Sequence, residues 1–190
     1  MVGVANNGFS STQPEGGQPG VGGRASTAHP HPVSGWDGQP RRATAGLDSS
    51  RVAMLLAVLQ RRAGVNLAGL DCYVSTVGGV KLTEPSTDLA VAMALASAAQ
   101  DRPLPQRLVC FGEVGLAGEV RPVPGIGRRI QEVARLGFTH AVVPASPTGP
   151  GPVPAGFTVR EVTTISDAME LLFPRSAAAP ARNRQTAAAV

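Results

Sequence analysis

The side chains that could do chemistry are few and widely spaced along this 190-residue sequence. His140 stands alone, without the Cys or Ser–Asp partner that a general base needs, so we interpret it as a structural histidine. His29 and His31 lie between prolines with no further ligand nearby, which favours a linker over a metal site. The carboxylates lack metal-loop spacing, and we expect them to cap helices and bond turns; they are Glu84, Asp88 and Glu113. The sequence therefore predicts no metal and no other cofactor.

Glycines recur in the pair Gly78-Gly79 and in the series Gly112, Gly115 and Gly118. Glycine permits positive φ angles and close backbone approach, so tight connections between strands explain both places. A glycine series can also cradle phosphates. The sequence contains no GxxxxGK[ST] motif, however, and we therefore predict no nucleotide in this chain.

The composition indicates one ordinary globular domain and excludes several classes of protein. The sequence is 43% hydrophobic but only 4% aromatic, which predicts a core of small aliphatic residues and argues against a platform for stacked bases. The formal net charge of +4 comes almost entirely from arginine, since Lys81 is the one lysine, and it favours a polyanionic partner such as nucleic acid. Cys72 and Cys110 lack CxxC spacing and are predicted to be buried free thiols. No segment is long and apolar enough to span a membrane, so we expect a cytoplasmic protein.

Four helices are predicted from apolar spacing and capping residues. Asp48 precedes a helix that ends at Gly64, and a second helix spans 85–100 with Thr83 as its cap. A third spans 126–136, and Ser166 caps a last helix that ends at Phe173. The residues of the third helix predicted to face inward are Ile126, Ile130, Val133, Ala134 and Leu136.

Strands are predicted between these helices. They span 71–77, 80–82, 108–111, 119–123, 139–143 and 157–162, with a turn at 112–118. The alternation of strands with helices indicates one α/β domain at 46–173, with helices packed against a mixed sheet. Low-complexity sequence at 1–40 and at 175–190 predicts disordered tails.

Three consecutive motifs carry a family resemblance, at 76–85 (TVGGVKLTEP), 88–92 (DLAVA) and 111–121 (FGEVGLAGEVR). The resemblance continues through 123–125 into the third helix and 136–138. This ordered string resembles the C-terminal domain of the RadA family of DNA-repair proteins, which is itself similar to the proteolytic domain of Lon. The resemblance implies a Lon-like, two-layer α/β fold.

Lon-type proteases use a serine at the start of the second helix and a lysine in the third. Counting from the shared motifs places Ser86 at the position of the serine and Arg129 at that of the lysine. Arginine cannot serve as the base of a Ser–Lys pair, because it stays protonated at any ordinary pH. The only lysine, Lys81, lies five residues before Ser86, away from the matching position. We therefore expect no enzyme activity, and we expect Ser86 to bond backbone N–H groups at the helix start.

Resemblance to RadA also implies a protein of recombination and repair whose domain helps to form a ring and contacts DNA. The family's zinc motif and ATPase motif do not occur in this sequence, and residues 1–40 show no strand pattern where the family's domain would open with a strand. A truncated or frameshifted copy is therefore one interpretation of the chain.

Three functional hypotheses follow. The first is a non-catalytic, homo-oligomeric scaffold that contacts DNA weakly; its candidate contact residues are Arg61, Arg62, Arg128, Arg129, Arg121 and Lys81. The second is a Lon-like serine peptidase that uses Ser86. The third is an inactive gene fragment, which the missing first strand favours.

Overall fold

The computed structural model of the chain describes residues 40–174 and three short segments, 3–4, 24–26 and 31–32. The helices within these residues are α1 Ser49–Arg62, α2 Asp88–Ala99, α3 Ile126–Arg135 and α4 Ile165–Leu172. The strands are β1 Gly3–Val4, β2 Arg24–Ser26, β3 His31–Pro32, β4 Arg42–Ala45, β5 Leu70–Thr76, β6 Leu108–Cys110, β7 Glu113–Val114, β8 Val120–Arg121, β9 His140–Pro144 and β10 Thr158–Val162.

The described strands form a mixed sheet and a separate two-stranded pair. The sheet order is β10-β9-β6-β1-β2-β5-β3, with β4 also paired to β5, and β7 pairs with β8. The β4–β5, β6–β9 and β9–β10 pairs are parallel, whereas β1–β6 and β2–β5 are antiparallel. The predicted α/β class with a mixed sheet is therefore confirmed.

Apolar clusters lie on both faces of the sheet. The larger cluster joins α1, α2 and α4 to residues of β5, β6 and β9, and the smaller joins α3 to the alternate residues of β6 and β9. Strands that are buried on both faces need cover on both. Strand β6 is buried along its whole length, and β9 is buried from Ala141 to Pro144. The predicted two-layer arrangement is therefore corrected, because a third layer, α3, covers the sheet at these two strands.

Helix α1 begins as predicted. The Asp48 carboxylate accepts a hydrogen bond from the Arg51 N–H at 2.8 Å, and bonds from Ser50 and Arg51 lower the pKa of Asp48. Helix α2 has no polar face, since nine of its twelve residues are buried, and it forms the centre of the larger cluster.

Three local predictions are corrected. Thr83 does not cap α2, because an extended Glu84 and a 3₁₀ turn at Pro85–Thr87 separate it from the helix. Thr164, not Ser166, caps α4, through a reciprocal capping box with Asp167. Leu136 is 52% exposed, because it lies beyond the last turn of α3 and has left its apolar face.

The strands at the start of the sheet were not predicted. The first forty residues lack apolar alternation, yet β1, β2 and β3 lie within them, and β4 follows at once. Such short strands form through backbone pairing alone, which needs no side-chain pattern. The remaining residues of the two predicted tails, including His29, lie outside the described residues. No helix in the described part of the chain is long and apolar enough to cross a membrane.

Candidate functional site

Ser86 lies in the 3₁₀ turn before α2 and is held against the glycine-rich motif. Its carbonyl accepts a hydrogen bond from the Gly112 N–H at 2.9 Å, and the Gly112 carbonyl accepts one from the Leu89 N–H at 3.1 Å. These two bonds bridge the start of α2 and the segment after β6. The position of Ser86 is thus fixed by backbone contacts to a motif 26 residues further along the chain.

The Ser86 hydroxyl is buried, and it does not make the predicted bonds to backbone N–H groups. Among the described residues it has no hydrogen-bond partner of normal geometry, although it lies near enough to Glu84 to help lower the pKa of that carboxyl group. The prediction was wrong because Ser86 belongs to the 3₁₀ turn, where its side chain faces inward, and α2 starts two residues later.

Arg129 extends from the first turn of α3 toward the same place. Its guanidinium forms an ion pair with Glu84, donates to the Pro124 carbonyl at 3.2 Å and lies over the Phe111 ring, 5.9 Å from the centroid. The guanidinium is the main cause of the lowered pKa of Glu84. This pair therefore contributes stability above the ordinary pKa of a glutamate, and the contribution is lost as the pH falls through the lowered value.

Ser86 and Arg129 thus both lie close to Glu84: Arg129 pairs with its carboxylate, and the Ser86 hydroxyl helps to lower its pKa. A guanidinium accepts no proton at ordinary pH, and that of Arg129 is already paired with the Glu84 carboxylate. No lysine or histidine hydrogen-bonds to Ser86 in the described part of the chain. Lys81 is exposed on the preceding extended segment.

An open cleft of about 400 Å³ adjoins this cluster. Its lining residues are Phe111, Pro124, Gly125, Arg128, Arg129 and Glu132. The lining therefore combines apolar groups with two guanidinium groups and one carboxylate.

A second polar cluster joins α1 to α2. Asp88 is 2% exposed; its carboxylate accepts hydrogen bonds from Arg51 Nε at 2.9 Å and from the Val114 N–H at 3.1 Å. The Arg51 guanidinium also lies 3.7 Å from Glu113. Glu84, Asp88 and Glu113 are therefore ion-pair partners rather than caps, and the prediction that they cap helices is corrected. The partners of Glu84 and Asp88 are distant in sequence, at Arg129 and Arg51, so no local pattern indicates them.

The six predicted DNA-contact residues separate into two groups. Arg129 pairs with Glu84, and Arg121 pairs with Glu119 at 2.5 Å and with Glu113 at 3.5 Å. The others are exposed and make no ion pair with a described carboxylate: Arg61, Arg62, Arg128 and Lys81. The structure therefore leaves four of the six cations free to attract a polyanion.

The remaining candidates are an exposed histidine and two buried cysteines. His140 is exposed, and its Nδ1 lies 2.8 Å from the Thr139 hydroxyl. Cys72 and Cys110 are buried free thiols, as predicted, and burial raises the pKa of Cys110 to about 12. No cluster of three or more potential metal ligands occurs in the residues that the structure describes.

The fold is that of an α/β domain, in which Arg129 of α3 pairs with Glu84, two residues before the buried Ser86. Residues 60–147, just under half of the chain, match a family model described as subunit ChlI of Mg-chelatase.

About 70% of the chain is homologous to DNA repair protein RadA. It is 52% identical over 132 residues to RadA of Escherichia coli strain K12, a match that spans 70% of this chain and 28% of the relative. It is 51% identical over 135 residues to RadA of Mycobacterium tuberculosis strain H37Rv, spanning 71% of this chain and 28% of the relative. Identity to RadA of Streptococcus pyogenes serotype M6 is 43% over 136 residues, or 72% of this chain and 30% of the relative. The chain thus matches less than a third of the length of these relatives.

Proposed function

We propose that this chain forms the non-catalytic, Lon-like domain of a RadA-type protein of DNA repair and recombination, acting in the cytoplasm. In this proposal the domain supports homo-oligomerisation and contacts DNA. The observation that carries it is the ion pair of Arg129, at the position of the dyad lysine, with Glu84, in a chain that is 52% identical over 132 residues to DNA repair protein RadA. The relatives' name supports the repair role, and an arginine at the position of the base supports the absence of catalysis.

The DNA-contact part of the proposal rests on the four unpaired cations. A guanidinium without a carboxylate partner can approach a phosphate without first breaking an ion pair, so Arg128 and Lys81 are better candidates than Arg129 and Arg121. Arg61 and Arg62 are equally unpaired, but they lie beside the exposed apolar side chain of Leu116. This combination suits a protein partner better than DNA.

We expect Arg128→Ala combined with Lys81→Ala to weaken DNA binding by the full chain. Each lost phosphate contact should reduce the slope of log affinity against log salt concentration by about 1, so the pair should reduce it by about 2. Fluorescence anisotropy with a labelled duplex and the corresponding single strand, from low to moderate salt, measures both quantities.

The matched control for this experiment is Arg160→Ala. Arg160 is an exposed arginine of β10 on a different part of the sheet, and it makes no ion pair with a described carboxylate. An equal loss from Arg160→Ala would show that only net charge matters. No binding by the wild type at low salt would contradict the DNA-contact proposal.

The second candidate function is a serine peptidase. The buried Ser86 hydroxyl, which lacks a hydrogen-bond partner of normal geometry, is the observation that favours it. The occupied guanidinium of Arg129 argues against it, because a serine nucleophile needs a neighbour that can take its proton.

We expect no cleavage of casein or of fluorogenic peptides by the wild type, by Ser86→Ala or by Arg129→Lys. The lysine variant should stay inactive because Glu84, the ion-pair partner of Arg129, would stabilise the charged amine of the lysine and keep it protonated. Release of fluorophore over hours at high protein concentration is the measurement. Cleavage by the wild type that Ser86→Ala abolishes would establish the peptidase instead.

A further inference from the structure

An exposed apolar side chain lies beside two unpaired arginines at the end of α1. Leu116 is 75% exposed, and with Arg61 and Arg62 it borders a cleft of about 300 Å³ whose other lining residues are Ala57 and Val58. Neither arginine forms an ion pair with a described residue. We call this surface of Leu116, Arg61 and Arg62 the basic knob.

The basic knob is held rigidly against the first turn of α4. The turn that carries Leu116 is closed by a bond from the Gly115 N–H to the Glu119 carbonyl at 2.9 Å, and the Gly118 carbonyl accepts from the Ile165 N–H at 2.8 Å. The Ser166 hydroxyl donates to the Arg62 carbonyl at 2.8 Å. These contacts fix Leu116 in solvent beside the arginines, so little conformational entropy is lost when a partner binds.

The opposite end of α4 presents the complementary chemistry. Leu171 is 39% exposed, and Glu170 beside it is exposed. Asp101 is also exposed and lies at this end, because its neighbour Arg102 donates to the Phe173 carbonyl at 3.1 Å. Neither carboxylate forms an ion pair with a described residue. We call the surface of Glu170, Leu171 and Asp101 the acidic end.

We propose that the basic knob of one copy of this chain binds the acidic end of a second copy. Each surface combines one exposed leucine with two unpaired charges, and the signs are opposite, so the two surfaces complement each other. They lie at opposite ends of an eight-residue helix, about 12 Å long, and cannot meet within one molecule. The contact is therefore head to tail, and its repetition generates a ring or an open chain of copies.

This inference rests on the oligomerisation in the proposed function and assigns its surfaces. It assigns Arg61 and Arg62 to a protein partner rather than to DNA. The reason is that a phosphate backbone offers no apolar group to cover the exposed Leu116, whereas the acidic end supplies a leucine as well as two carboxylates.

Charge reversal with restoration tests the contact. Sedimentation velocity over a concentration series would compare the full chain with Arg61→Glu/Arg62→Glu, with Asp101→Arg/Glu170→Arg, and with an equal mixture of the two variants. Each variant alone brings like charges together and should weaken self-association at least about tenfold. The mixture should associate again, since a reversed knob matches a reversed acidic end.

Control variants separate folding and general charge from the contact. Arg160→Glu changes an exposed arginine elsewhere and should leave association unchanged, whereas Leu116→Asp should weaken it. Glu170→Arg alone avoids the positive φ of 49° at Asp101 and should give a smaller loss in the same direction. Thermal unfolding of each variant confirms that it is folded.

The outcomes distinguish this inference from the proposed function. A wild type that stays monomeric at every concentration overturns both the contact and the proposed oligomerisation. Association that the charge reversals leave unchanged overturns the contact alone. The contact is also overturned if Arg61→Glu/Arg62→Glu abolishes DNA binding but keeps self-association, because the knob would then be a nucleic-acid site.

Discussion

We expect Arg51→Met to lower the free energy of unfolding by about 3 to 5 kcal/mol, far more than an ordinary surface arginine would. The reason is that Asp88 is 2% exposed and Arg51 is its charged partner, so the substitution leaves a carboxylate buried without a counter-charge. Methionine keeps most of the length of the side chain, so little of the stability loss should come from lost packing contacts. Urea unfolding followed by circular dichroism measures the change.

Two further variants test the cause. Arg121→Met removes an arginine that is 54% exposed and belongs to the same chain of ion pairs, and it should cost less than about 1 kcal/mol. Arg51→Met/Asp88→Asn removes both charges while the amide oxygen can still accept from the Val114 N–H. This double variant should recover at least half of the loss. A cost for Arg51→Met no greater than that for Arg121→Met would show that the buried pair contributes little.

The sequence predicts the helices well because they are defined by local features. Asp48 caps α1, apolar spacing defines α1 and α3, and the uniformly apolar stretch at 89–96 becomes the buried helix α2. Leu136 is a boundary error, since spacing alone does not show that the helix ends one residue earlier. The first strands were missed for a different reason. Two- to four-residue strands of Gly, Arg, Ser and Ala have no alternation to detect.

The candidate site was predictable only in part. The family resemblance places Ser86 and Arg129 at matching positions, and in the structure both residues lie close to Glu84. Neither the burial of the Ser86 hydroxyl nor the pairing of Arg51 with Asp88, 37 residues away, follows from local patterns. The same limit applies to charge, because a sequence cannot show which exposed arginines are neutralised. Arg121 and Arg129 are paired, whereas Arg61, Arg62 and Arg128 are not.

Gly112 is the backbone position on which the site depends most directly. Its φ of +156° is rare for residues with a side chain, and a Cβ added there would lie 2.6 Å from Val120 Cγ1. Its N–H and carbonyl also bind Ser86 and Leu89. Any shift that relieves the clash therefore pulls on the two bonds that hold the start of α2.

We expect Gly112→Ala to destabilise the domain by about 2 to 6 kcal/mol, since backbone strain and overpacking each contribute about 1 to 3 kcal/mol. Gly125→Ala is the matched control, because Gly125 also has a positive φ, +72°, but a Cβ there meets nothing within 4 Å. Gly125→Ala should therefore introduce backbone strain without a steric clash, and it should lower the free energy of unfolding by about 1 to 2 kcal/mol. Urea unfolding of both variants gives the difference.

A double-mutant cycle with Val120→Ala isolates the steric part of the Gly112→Ala effect. Val120→Ala alone should destabilise, because Val120 is 6% exposed and belongs to the larger apolar cluster. In combination with Gly112→Ala it should cost at least about 1 kcal/mol less than the sum of the single changes, since the new methyl group then has room. The outcome that contradicts a steric role is strict additivity of the Gly112→Ala and Val120→Ala effects, together with equal losses of unfolding free energy for Gly112→Ala and Gly125→Ala. It would mean that the structure relieves the clash with Val120 at no cost. In that case Gly112 would be required for its backbone angle alone, and its close approach to β8 would have no part in holding Ser86 in place.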